Sequence, residues 1–187
     1  MADKRAVPPT VVADGRKWRV GTDAEVAWIA AGTSVSLAIT AAIPAVFDAY
    51  ATIVVPDSYQ EHASALLALL AEQAPAPHRW WLGYPAGQIF PAAPTVTLYA
   101  DWEYVLVEAG PRQAAAWGKD ECRPSWQLPS LMFPADRSWL VSTLWDDDWT
   151  CVGGPDRLVQ RIMAHPQFES RLVAPGQDAT PPGYQAC

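Results

Sequence analysis

The sequence contains few of the residues that cross-link small folds or bind metals. Its three cysteines, Cys122, Cys151 and Cys187, are an odd number and form no Cys-x-x-Cys pair. This usage is typical of reduced thiols in a cytoplasmic protein. There are also only three histidines, and they are far apart in the chain. No local spacing indicates a zinc site, so we expect neither a metal nor a cofactor.

Long apolar runs and basic residues are also scarce. No stretch approaches the 18 or so apolar residues of a membrane-spanning helix. The polar start, MADKR, lacks the apolar segment of a secretion signal. Lys and Arg together number 13 against 20 Asp and Glu, for a net charge of −7. This balance disfavours nucleic acids and anionic membranes as partners, whereas a basic protein would be attracted.

Tryptophan and proline, in contrast, are abundant. The chain of 187 residues is long enough for one domain with its own core, and it carries 18 prolines. Prolines at this density divide it into short elements and disfavour a bundle of long helices. Ten tryptophans exceed what one small core needs. They indicate an aromatic-rich core with rim aromatics, a Trp-lined pocket or groove, or a homo-oligomer.

Hydrophobic periodicity and breaker residues predict an α+β single domain. We expect helices that follow Thr22, Asp57, Gly110 and Gly154, with a helical turn at Ile43. Strands are predicted at 36–40, 50–55, 79–84, 95–100, 103–108, 138–145 and 149–152. Short turns between consecutive strands favour a mixed, mainly antiparallel sheet with three or four packed helices. The domain is predicted to span 18–174, between a flexible N-terminal arm (1–17) and a loose C-terminal tail (175–187).

Three local patterns make these predictions specific. Thr22 and Glu25 have the spacing of a capping box, which starts a helix that Gly32 would end. Asp101 and Trp102 would form a hairpin turn, and residues 118–135 a long irregular loop. The predicted core consists of apolar residues buried together: Leu66, Leu67, Leu70, Val105, Leu106, Val107, Val141, Leu158 and Ile162.

Three motifs in the second half of the chain are distinctive: YVLV at 104–107, FPADRSW at 133–139 and DWTCVGG at 148–154. They resemble segments of a family of uncharacterised proteins from high-GC Gram-positive bacteria, for which no activity is known. The resemblance implies one domain in a cytoplasmic bacterial setting, and it assigns no catalytic residue. That family has an acidic residue in place of Leu144 or Trp145, whereas the acids of this chain are at 146–148.

The segment Trp145, Asp146, Asp147, Asp148 and Trp149 is the strongest candidate site. Three adjacent carboxylates repel one another, so they need solvent, a cation or a basic partner. Two flanking aromatics could anchor such a partner. Alternatively, the segment is a solvated hairpin turn with both tryptophans in the core. We favour a protein partner over a cation, because no further ligand lies close enough in sequence to complete a coordination shell.

Asp136 and Arg137 form a second candidate site, just before a predicted strand. Arg137 could bind a carboxylate or phosphate, and Asp136 could act as a general base. The alternative is an ion pair or a turn cap that fixes the start of the strand. Cys151 is expected to be a small core residue rather than a nucleophile.

Two functions follow from these observations. The first is a non-catalytic, acidic, cytoplasmic protein-binding domain, immunity-like or a scaffold. The second is a small-ligand-binding protein or an enzyme with a Trp-lined pocket near Asp136, Arg137 and Asp146–Asp148. A deep pocket that gathers Arg137 and a carboxylate would favour the second, and a flat acidic patch with exposed tryptophans would favour the first.

Overall fold

A computed structural model describes residues 8–56, 59–73, 77–117, 128–144 and 147–184. The helices are α1 (Asp23–Gly32), α2 (Tyr59–Gln73), α3 (Pro111–Trp117) and α4 (Asp156–Met163). The strands are β1 (Thr10–Ala13), β2 (Arg16–Arg19), β3 (Ala49–Val54), β4 (Trp80–Pro85), β5 (Val96–Leu98), β6 (Trp102–Ala109), β7 (Leu131–Pro134), β8 (Leu140–Ser142), β9 (Trp149–Gly154) and β10 (Ser170–Leu172).

The predicted α+β single domain is confirmed. Eight strands form one sheet in the order β10-β3-β9-β8-β7-β4-β6-β5, and β1 and β2 form a separate hairpin. Every neighbouring pair of described strands is antiparallel. None of the helices in the described ranges is long and apolar enough to cross a membrane.

The sheet has a core on each of its faces. Helices α2, α3 and α4 cover one face, which includes Val105 and Val107, and we call it the three-helix face. Helix α1 and the residues around Ile39 cover the other face, which includes Leu106, and we call it the α1 face. Successive side chains of a strand point to opposite faces. The prediction of one shared core was therefore wrong for Leu106, although all nine predicted residues are buried.

The capping box forms as predicted and starts α1. The amide and the hydroxyl of Thr22 both donate to the Glu25 carboxylate at 2.7 Å. Arg19 donates to the same carboxylate from β2 at 2.6 Å. Burial would raise the pKa of Glu25, but the bonds from Thr22 and the charge of Arg19 outweigh burial and lower the pKa. Gly32 is the last helical residue, and Thr33 follows it as the C-cap.

Several predicted boundaries were wrong. Residues 36–40 form no strand, because the chain there bends into a 3₁₀ turn at Ile39–Ala41; the segment at Ile43 is an ordinary turn. The hairpin turn lies at 99–101, since Trp102 already pairs with Leu98. The strand predicted at 138–145 is shortened to β8. Residues at the end of the predicted loop 118–135 instead form β7, a buried inner strand. Its run LMFP is apolar throughout, with no alternation of apolar and polar residues, because both faces of the strand are covered.

Parts of the predicted arm and tail pack against the domain. Residues 10–19 form the β1–β2 hairpin, and the Trp117 indole of α3 donates to the Asp14 carboxylate at its turn, at 2.7 Å. Near the other terminus Ala179 is buried, and its amide donates to the Leu37 carbonyl at 2.8 Å. The described residues at both ends are therefore tied to the fold by specific contacts.

Candidate functional site

The acidic segment lies at one end of the sheet, between β8 and β9. Asp147 is half-buried, Asp148 is exposed, and Trp149 begins β9. Only 3% of Trp149 is exposed, so it is a core residue and does not anchor a partner at the surface. The burial of Trp149 agrees with the alternative interpretation of the segment, a solvated hairpin turn whose tryptophans lie in the core. Trp145 and Asp146 lie outside the described residues.

Asp147 and Asp148 line a concave site at this end of the sheet, which we call the acidic cleft. Its volume is about 380 Å³. The residues that line it are Val55, Tyr59, Pro85, Gln88, Leu128, Ser130, Thr143, Leu144, Asp147 and Asp148. None of these lining residues is Lys, Arg, His or Trp. Among the described lining residues the two carboxylates are therefore the charged groups, and a positive group would complement them.

The polar walls of the cleft are neutral and held in place. The Thr143 and Thr150 hydroxyls are hydrogen-bonded to each other at 2.8 Å. The Tyr59 hydroxyl accepts a hydrogen bond from the Leu128 amide at 2.9 Å. Burial raises the pKa of Tyr59 despite that bond, so the phenol stays uncharged at neutral pH. These groups shape the cleft, and the formal charge of its described lining comes from Asp147 and Asp148.

Asp136 and Arg137 lie at the opposite end of β8. The Asp136 carboxylate accepts a hydrogen bond from the Ser138 amide at 3.0 Å, which makes it a turn cap. Arg137 has a φ of 58°, and its guanidinium lies 5.5 Å from the ring centre of Trp28. Strand β8 separates this pair from Asp147 and Asp148, and neither Asp136 nor Arg137 is among the described residues that line the acidic cleft. Asp136 therefore matches the alternative interpretation as a turn cap. In the described structure, no ion pair links Asp136 to Arg137.

A charge cluster that the sequence analysis missed lies at the same end of the sheet as Asp136. Glu108, at the end of β6, accepts bonds from Arg79 at 2.6 Å and from Arg19 at 3.4 Å. Arg19 also stacks on Trp81, 4.9 Å from its ring centre. Three separate strands contribute to this cluster, so sequence spacing gave no signal for it. Each guanidinium faces a carboxylate, which makes the cluster a structural tie between β2, β4 and β6.

A second cavity, which the sequence analysis also missed, opens on the α1 face; we call it the apolar cavity. It lies between the C-terminal end of α1 and the turn that joins β5 to β6, and its volume is about 360 Å³. Its lining residues are Ala30, Thr33, Ser34, Val35, Ser36, Ala41, Thr97, Leu98, Tyr99, Ala100, Asp101 and Leu144. The only feature of the sequence that pointed to this cavity was the predicted turn near Asp101. Among its described lining residues, Leu144 is the one that the apolar cavity shares with the acidic cleft.

The structure separates the thiol and the imidazole that a nucleophilic pair would need. Cys151 is buried on the α1 face, and His62 is buried on the three-helix face. Burial raises the pKa of the Cys151 thiol and lowers the pKa of His62. His62 packs edge-on against Phe168, with ring centres 5.0 Å apart. Cys151 is thus the small core residue that the sequence predicted, and Cys122 lies outside the described residues.

Four of the eight described tryptophans are buried in the core, and three more are partly buried against it. Trp80, Trp81, Trp139 and Trp149 are buried, whereas Trp102 is the one described tryptophan classed as exposed. In the described ranges no group of three or more His, Cys, Asp or Glu side chains could hold a metal ion. Comparison of the chain with protein-family models, curated proteins and solved structures finds no match.

Proposed function

We propose that this chain is a non-catalytic protein-binding domain that docks a basic segment of a partner protein at the acidic cleft. The observation that carries the proposal is that Asp147 and Asp148 line a concave site whose described lining residues include no Lys, Arg or His. A Lys or Arg side chain has the length to enter such a cleft while its charge meets the carboxylates. The net charge of −7 would attract the same partner from a distance.

The setting that we propose is a reducing cytoplasm. This proposal rests on the odd number of cysteines and on Cys151, which is a free thiol in the core. Membership in the family from high-GC Gram-positive bacteria stays a prediction, supported by the three sequence motifs that resemble it. Within such a setting, the partner would be a basic protein that the domain neutralises or holds in place.

The test uses a peptide of alternating lysine and glycine as a defined basic probe. Its affinity for the wild type is compared with that for Asp147→Asn/Asp148→Asn, at low and at physiological salt. The matched control, Asp23→Asn/Asp136→Asn, removes two exposed carboxylates elsewhere. The side-chain amide oxygen introduced by Asp136→Asn can still accept the bond from the Ser138 amide, so the control keeps its turn. The single variant Asp148→Asn is also measured, to check that a loss of peptide affinity in the double variant does not come from a distorted loop.

We expect the cleft variant to bind the lysine peptide several-fold more weakly than the control does. The difference should shrink as salt rises, because exposed charges are screened within about 10 Å at 0.1 M ionic strength. Equal affinity of the two double variants would show that only the overall charge attracts the peptide, and the proposal would then be wrong. Affinity capture from the native cell, with the wild type and both variants, then identifies the basic partner by mass spectrometry.

A further inference from the structure

The apolar cavity combines hydrophobic walls with negative charge at one side. Leu98 and Leu144 line it, and Val35, which is 86% exposed, lies at its rim. The carboxylate at the cavity belongs to Asp101, which forms no hydrogen bond or ion pair with another described residue. The described lining of the cavity therefore presents apolar surface and one acidic group, Asp101, to a ligand.

The C-terminal end of α1 adds a second source of negative potential. The last carbonyl groups of a helix lack amide partners four residues on, and the aligned peptide dipoles place partial negative charge there. The Thr33 hydroxyl donates to the Ile29 carbonyl at 3.0 Å. The last turn of α1 contains no basic residue, and none of the described residues that line the cavity is Lys, Arg or His. Both the helix end and Asp101 therefore favour a cation.

The wall opposite α1 is held in a fixed shape. The Tyr99 hydroxyl donates to the Ala42 carbonyl at 2.9 Å, which ties the β5–β6 turn to the segment after α1. Burial raises the pKa of Tyr99, so the phenol is neutral and supplies only an apolar ring. The Ser34 amide donates to the Thr40 carbonyl at 3.3 Å and closes the loop on the other side. The cavity is thus preformed, which reduces the entropy that a ligand must lose on binding.

We propose that the apolar cavity binds a small organic ammonium ion with an aromatic or branched aliphatic body. The body lies between Leu98, Tyr99 and Leu144, and the ammonium group lies between the Asp101 carboxylate and the end of α1. This site does not depend on the proposed function, since the acidic cleft takes a partner protein through other carboxylates.

Three probes with the same phenylethyl body test the proposal: 2-phenylethylamine, 2-phenylethanol and 3-phenylpropanoate. Binding to the full chain is followed by NMR through the backbone amides of residues 33–36 and 99–101. Three variants are compared with the wild type. Asp101→Asn removes the charge, and Asn tolerates the left-handed backbone there. Ala30→Phe, at an exposed helix position, fills the cavity. Asp23→Asn, about 15 Å away at the other end of the ten-residue α1, is the matched charge control.

We expect the amine to bind the wild type about tenfold more tightly than the alcohol, and the carboxylate more weakly still. Asp101→Asn should reduce the preference for the amine over the alcohol to about threefold or less. The remaining preference is the part that the negative end of α1 contributes. Asp23→Asn should leave the preference unchanged, and Ala30→Phe should abolish binding of all three probes. Equal affinity for amine and alcohol, a preference that survives Asp101→Asn, or no binding of any probe would each overturn the proposal.

Discussion

The indole rings of Trp80 and Trp139 meet edge to face, with their centres 4.8 Å apart, and neither is exposed to solvent. Trp80 is on β4 and Trp139 immediately precedes β8, so the pair spans the inner strands of the sheet. Edge-to-face pairs of this kind contribute about 0.5–1.5 kcal/mol beyond the area that they bury. This contact buries two of the ten tryptophans in the core, and it weakens the case for a surface rich in aromatics.

The two cores should respond to mutation independently. Leu67 is buried on the three-helix face and Leu106 on the α1 face, where it packs close to Gly21. Replacing either one with Ala should cost about 2–5 kcal/mol of unfolding free energy. Because the sheet separates the two sites, the double variant should show the sum of both losses to within about 0.5 kcal/mol. Urea denaturation measures all three values, and a loss below about 0.5 kcal/mol at both single sites would contradict the assigned burial.

The turn between β5 and β6 should be stabilised by glycine. Tyr99, Ala100 and Asp101 have φ angles of 48°, 60° and 72°, a left-handed region that disfavours residues with a Cβ atom. Ala100→Gly removes that strain, and we expect it to raise the unfolding free energy by about 0.5–1 kcal/mol. Ala27→Gly, at an exposed position of α1, is the control and should lower it by about 1 kcal/mol. Thermal denaturation distinguishes them, and a destabilised Ala100→Gly would mean that the turn is not strained.

Acidification should destabilise the junction between β2 and α1. The folded-state pKa of Glu25 lies below its ordinary value of 4.5. The ionised carboxylate therefore contributes stability above that value, and the contribution is lost as the pH falls through the folded pKa. Glu25→Gln keeps a capping-box acceptor for Thr22 but removes the titrating group. We expect the unfolding free energy of the variant to decline less steeply than that of the wild type below pH 4.5; parallel declines would show that Glu25 is not responsible.

The cysteines should all be reduced, and Cys151 should be unreactive in the native state. Burial both blocks access to the Cys151 thiol and raises its pKa, which lowers the concentration of the reactive thiolate. Titration of the unfolded chain should find three thiols, the number of cysteines in the sequence. In the folded protein Cys151 should react only as fast as the chain opens. One thiol after unfolding would instead indicate a disulfide.

Local sequence pattern alone was enough to predict the helices and strands that neighbouring residues specify. The capping box of Thr22 and Glu25, the apolar stripe of α2 and the β-branched run of β3 each specify a helix or a strand from neighbouring residues. In β4, Trp80 lies on the three-helix face and Trp81 on the α1 face, as the alternation of successive strand residues requires. These features do not depend on which strands pair, and the structure has them where the sequence indicates.

Only the tertiary structure decided which distant residues meet. The order β10-β3-β9-β8-β7-β4-β6-β5 places β3 and β9 side by side, although almost a hundred residues separate them in the chain. The same order makes β7 an inner strand despite its flanking prolines. The apolar cavity exists because the end of α1 meets a turn almost 70 residues further along the chain, and Glu108 binds two arginines from separate strands. Pairing of remote strands depends on packing of the whole sheet, and no local pattern encodes it.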